Sequence, residues 1–86
     1  MDLATFERES AIHRKVYEGL REQIRREYAG QYVALAQGKL IAVAPTFDEA
    51  KAAVLELKPV PEYYLVFPAE MEPLFEPIQD TWVRFD

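Results

Sequence analysis

Gln31-Tyr32-Val33-Ala34-Leu35-Ala36-Gln37-Gly38-Lys39-Leu40-Ile41-Ala42-Val43-Ala44 sets two short apolar runs on either side of a Gly-containing pair. Two such runs around a two-residue turn read as a β-hairpin, with Gly38 supplying the positive φ that a primed turn needs. Ala34, Ala36, Ala42 and Ala44 interleave with the large residues. One face of the hairpin is therefore nearly smooth, and a helix can lie close against it.

A helix follows directly. Thr46-Phe47-Asp48-Glu49 after Pro45 is a capping box, in which the Thr46 hydroxyl accepts from the Glu49 amide and the Glu49 carboxylate reaches back. Phe47, Ala50, Val54 and Leu57 mark one apolar face, and Lys58-Pro59 closes the element, so the second helix is predicted over Phe47 to Lys58. Val60-Pro61 is an extended link to Tyr63-Tyr64-Leu65-Val66-Phe67, an aromatic strand stopped by Pro68. The unit is ββαβ, with the third strand expected beside the first in the order 2-1-3.

Upstream, Ile12, Val16, Leu20, Ile24 and Tyr28 recur at every fourth position, with Leu3 and Phe6 before them. This predicts one long helix from about Thr5, its candidate cap, to Ala29, with Gly30 placed to end it. Spacing by four overshoots a turn by about 40°, so the stripe drifts round the helix and suits a slanted contact better than a coiled coil. Arg14 with Glu18 and Glu22 with Arg26 form (i, i+4) pairs on the other faces. Gly19 interrupts the helix at a cost of about 1 kcal/mol relative to Ala. It either permits close packing or is simply tolerated.

Beyond Pro68, Pro73 and Pro77 among Glu70, Glu72, Glu76 and Asp80 leave a segment too broken for a regular element, while Thr81 to Phe85 alternates like a final edge strand. The fold class is thus α+β, a single domain over 1–86. It comprises an N-terminal helix (1–30), a ββαβ core with a small, mainly antiparallel sheet (31–67) and an acidic, aromatic tail (68–86). Eighty-six residues, half of them apolar, suffice for one core without staples.

Tyr28-Ala29-Gly30-Gln31-Tyr32-Val33-Ala34-Leu35, then Gly38, Val43 and Phe47-Asp48-Glu49-Ala50, resemble a pattern of short prokaryotic proteins, the domain of unknown function 5678 family. The resemblance covers roughly Glu27 to Phe67. It implies the ββαβ fold and brings no activity or catalytic residue with it.

The chain has no cysteine, which removes disulfides, thiolate nucleophiles and sulfur-ligated metals. The first ten residues hold no apolar leader, and nowhere do apolar residues run to the roughly 18 of a membrane span, so the expected setting is cytoplasmic. Residues 1–30 carry six acids and six bases, 31–58 three of each, and 59–86 six acids against Arg84 alone. The net charge of −5 therefore lies in the last third and disfavours phosphate backbones as partners.

Chemistry-bearing patterns are weak. His13, the one histidine, sits among charged helical positions and reads as a solvated surface residue. Glu70 and Glu72 lack the glycine and spacing of a calcium loop and read as a solvated acidic loop. Gly19, Gly30 and Gly38 are too far apart for a phosphate-cradling loop. No catalytic residue, metal or cofactor is expected.

The functional expectation is a non-catalytic protein–protein interaction module or regulator, a homodimer or bound to another protein, with no membrane partner. The candidate contact residues are Leu74, Phe75, Trp82 and Phe85 of the tail, because a purely solvating tail carries few aromatics. Arg21 and Arg25 join them, on the one helix where bases cluster. The alternatives are a subunit of an oligomeric enzyme with a shared active site and a helix-mediated nucleic-acid binder.

Overall fold

The computed structural model describes residues 2–73, in the order α1 (Leu3–Glu27), β1 (Tyr32–Ala36), β2 (Lys39–Ala44), α2 (Phe47–Leu55) and β3 (Tyr64–Pro68). The strands form one antiparallel sheet in the order β2-β1-β3, the order read from the sequence. The edge strand expected over Thr81 to Phe85 lies outside the described residues. No helix among the described residues is long and apolar enough to cross a membrane.

Gln37 (φ 56°) and Gly38 (φ 75°) both sit in the left-handed region, the requirement of a type I′ turn, and Ala36 faces Lys39 across it. The register then slips: Leu35 faces Leu40, but Ala34 faces Ala42, so Ile41 is the extra residue of a β-bulge. The bulge reconciles the side-chain pattern with two covered faces. Leu40 and Val43 join Val33, Leu35, Leu65 and Phe67 on one face, while Ile41, Ala42 and Ala44 share the other with Ala34, Tyr64 and Val66. Strict alternation would have sent Ile41 and Ala42 to opposite sides.

α2 lies on the alanine face, as the smooth surface foretold, and Ala34, Ala50 and Val54 are completely buried where they meet. Thr46 caps it. The Glu49 N–H donates to Thr46 Oγ1 at 3.2 Å, and the Thr46 hydroxyl donates to the Glu49 carboxylate at 3.2 Å, so the carboxylate holds the hydroxyl in place instead of reaching the Thr46 amide. Caps of this kind are worth about 1 kcal/mol. The helix ends at Leu55, short of the expected Lys58. Leu57 N–H bonds Val54 O in a tightened last turn, and the residue before Pro59 is steered away from helical geometry.

α1 covers the opposite face and differs from the sequence reading at its start and along its buried line. The cap is Asp2, not Thr5: the Asp2 carboxylate accepts from the Thr5 N–H at 2.8 Å, and this bond holds its pKa below 3.8. The helix thus begins at Leu3, with Thr5 inside its first turn. At the far end Tyr28 N–H bonds Ile24 O and Gly30 (φ 84°) turns the chain away. The buried residues are Ser10, His13, Tyr17 and Ile24, with Leu20 and Tyr28 packed against the core. Steps of about 40° accumulate to roughly 160° between Ile12 and Tyr28, so one flat sheet cannot hold the whole stripe. Its C-terminal members face the core and Ile12 is 43% exposed.

Gly19 resolves in favour of tolerance, because a Cβ built there meets nothing within 4 Å. Gly19→Ala is therefore expected to raise stability by about 1 kcal/mol, gained as helix propensity. Urea unfolding with an unmoved or lowered midpoint would contradict that expectation.

Candidate interaction surface

The N-terminal half of α1 is seated on the hairpin turn by polar side chains. His13 is 0% exposed, correcting the expectation of a solvated residue. The Gly38 N–H donates to His13 Nε2 at 3.0 Å, which assigns the lone pair to Nε2 and the proton to Nδ1. Nδ1–H donates in turn to the Glu9 carbonyl at 2.7 Å, with the Glu9 carboxylate 3.8 Å away. Both ring nitrogens are committed to the backbone. The histidine thus ties a helix to a turn.

Beside it the Ser10 hydroxyl donates to the Tyr63 hydroxyl at 3.2 Å. The Tyr63 ring lies 5.0 Å from the His13 ring and 5.5 Å from Phe6, stacking the residue before β3 under α1. Burial raises the Tyr63 phenol above 10.0. The sequence signal for this face existed: Ser10, His13, Tyr17, Leu20 and Ile24 are spaced by three and four. Two polar residues at its head disguised it as a solvated face.

In front of this network opens a cleft of about 560 Å³ between α1, the hairpin turn and the loop 59–63, with Glu9 and Glu62 among its lining carboxylates. Val60, 47% exposed between Pro59 and Pro61, gives it an apolar wall, and Tyr63 and Gln37 also line it. Two prolines fix φ on either side of Val60, so the wall is largely preformed. Its residues come from three distant stretches of chain.

The residues picked from the sequence lie elsewhere. Arg21 pairs with Glu72 at 3.2 Å, and both side chains are exposed. Such a surface pair is worth at most about 1 kcal/mol. Arg25 is exposed one turn further along α1, at the opposite end of the helix from the cleft. Leu74, Phe75, Trp82 and Phe85 lie outside the described residues.

The first residues of the tail do fold back. Ala69 N–H bonds Gln31 O at 2.9 Å, Gly30 N–H donates to the Glu70 carboxylate at 3.3 Å, and Ala69 and Pro73 are buried. Glu70 and Glu72, read as merely solvated, thus fasten this segment to the C-terminal end of α1 while remaining exposed.

Compared with known proteins, residues 23–67 match the model of a family of unknown function (DUF5678). No curated protein and no solved structure matches the chain.

Proposed function

Since this chain belongs to DUF5678, a family of unknown function matched from the last turns of α1 to Phe67, we propose that it is a small non-catalytic protein–protein interaction module or regulator. Its contact surface in this reading is the cleft between α1, the hairpin turn and the loop 59–63. The observation that carries it is the lining itself: Val60 stands exposed between two prolines, with the Glu9 and Glu62 carboxylates nearby. An apolar centre with charges around it is the usual build of a binding surface. Two acids on a chain of net charge −5 favour a basic, extended segment of a partner protein, by steering and by complementarity. No helix among the described residues is long and apolar enough to cross a membrane, and we take the cytoplasm as its setting.

The test is a capture experiment with two baits, the native chain and a Val60→Ser/Glu62→Lys variant. Val60 and Glu62 are both exposed, so the variant is expected to fold. A partner retained by the native chain, lost by the variant and released by moderate salt fits the proposal. Identical capture by both baits refutes the cleft as the contact surface.

A further inference from the structure

The two edges of the sheet are not alike. β2 opens with Lys39 and carries the Ile41 bulge, two devices that discourage a further strand from pairing. β3 carries neither over Tyr64-Leu65-Val66-Phe67, which has no charge and an unbroken register with β1, and its one edge-blunting residue is Pro68 at the very end. Among the described residues, no strand lies beyond it.

The hydrogen-bond phase of that edge can be worked out. Ala69 N–H bonds Gln31 O, one step beyond the Tyr32–Pro68 pair, so Gln31 and Ala69 form a hydrogen-bonded pair. Antiparallel alternation then turns the amides and carbonyls of Leu65 and Phe67 toward β1 and those of Tyr64 and Val66 outward. Pro68 falls on an outward position, where its missing N–H costs the ladder nothing.

We propose that β3 is the site at which two copies of this chain pair, edge to edge and antiparallel, about a two-fold axis at Leu65. Tyr64 of each copy then faces Val66 of the other, and each of these pairs exchanges both N–H···O bonds. Centring the axis on Val66 instead would set Tyr64 opposite Pro68 and leave its carbonyl without a donor. With the axis on Leu65 the two outward residues of β3 that carry an N–H meet each other, and Pro68 takes part in neither pair. Charge selects the same surface, because a chain of net charge −5 meets its own copy most easily where it carries none. Tyr64, Leu65 and Val66 are each only half-buried, so pairing covers apolar surface on both faces of a joined, six-stranded sheet.

The inference rests on the reading of this chain as an interaction module, but on a different surface from the cleft. It is tested on the full chain by sedimentation equilibrium and by amide exchange at low and high micromolar concentration. The expected result is a species of twice 10.0 kDa, with the Tyr64 and Val66 amides slowing as it forms. Leu65 and Phe67 amides, held by β1, serve as the invariant control. Val66→Pro removes an outward N–H and leaves the ladder to β1 intact, so it is expected to weaken the dimer about tenfold or more. Should that variant fail to fold, the exchange data on the native chain decide alone.

A monomer with freely exchanging Tyr64 and Val66 overturns the proposal. So does a monomer in which both amides are protected at every concentration, which means the chain covers its own edge, and so does a dimer that leaves them unprotected. A monomer that still captures a partner through the cleft ends the pairing and spares the proposed function. A β3-paired dimer that captures nothing does the reverse.

Discussion

His13→Ala is expected to lower the unfolding free energy by about 3 kcal/mol, from a lost buried ring and an orphaned Gly38 N–H together. The ring is 0% exposed, and its Nε2 takes the Gly38 N–H at 3.0 Å. His13→Leu separates the two parts. Leucine restores most of the volume but offers the amide no acceptor, so it should recover part of the loss and remain about 1–2 kcal/mol below the native chain. Urea unfolding of the three proteins, with Gly38 amide exchange as a local readout, checks this. Equal stability of His13→Leu and the native chain would show that the bond to Gly38 contributes nothing.

The second large effect separates two isoleucines that look equivalent in the α1 stripe. Ile24 is 0% exposed and packs in a cluster with Tyr17, Val33, Leu35 and Phe67, whereas Ile12 is 43% exposed. Ile24→Ala is expected to cost about 3–4 kcal/mol, as deletion of a fully buried branched side chain does. Ile12→Ala should cost under about 1 kcal/mol. The comparison is made by thermal or urea unfolding on the same day and buffer. Equal losses would mean that α1 is rotated from the orientation described.

These two residues also show where reading the sequence succeeds and where it stops. The hairpin, the capping box and the third strand are legible because each is written locally: a Gly at a turn, a Thr three residues before a Glu, an aromatic run closed by a proline, although the strand expected over Tyr63 to Phe67 runs from Tyr64 to Pro68. Strand order follows from the helical crossover, which leaves β3 antiparallel to β1 and able to pair beside it. The buried line of α1 was not legible, because Ser10 and His13 are polar and their burial depends on Tyr63 and Gly38, far away in sequence. Asp2 and Thr5 can both cap a helix, and only the placement of the first turn decides between them.

The cleft was invisible for a related reason. Glu9, Gln37 and Val60 belong to a helix, a turn and a loop, and no spacing rule joins them. Charge and aromatic content mark Arg21, Arg25 and the tail instead. Of these, Arg21 proved to be paired with Glu72 within the chain.

The bonds that fasten α1 carry a kinetic meaning. His13 reaches Gly38 across 25 residues, Arg21 reaches Glu72 across 51, and Ser10 reaches Tyr63 across 53, whereas the hairpin closes over two. Closing a longer stretch of chain costs more entropy, and each of these bonds needs its distant partner already held in place by the strands. If the hairpin and its neighbours assemble before α1 settles onto them, weakening α1 at His13 is expected to leave the rate of folding nearly unchanged and to speed unfolding, which stopped-flow kinetics checks.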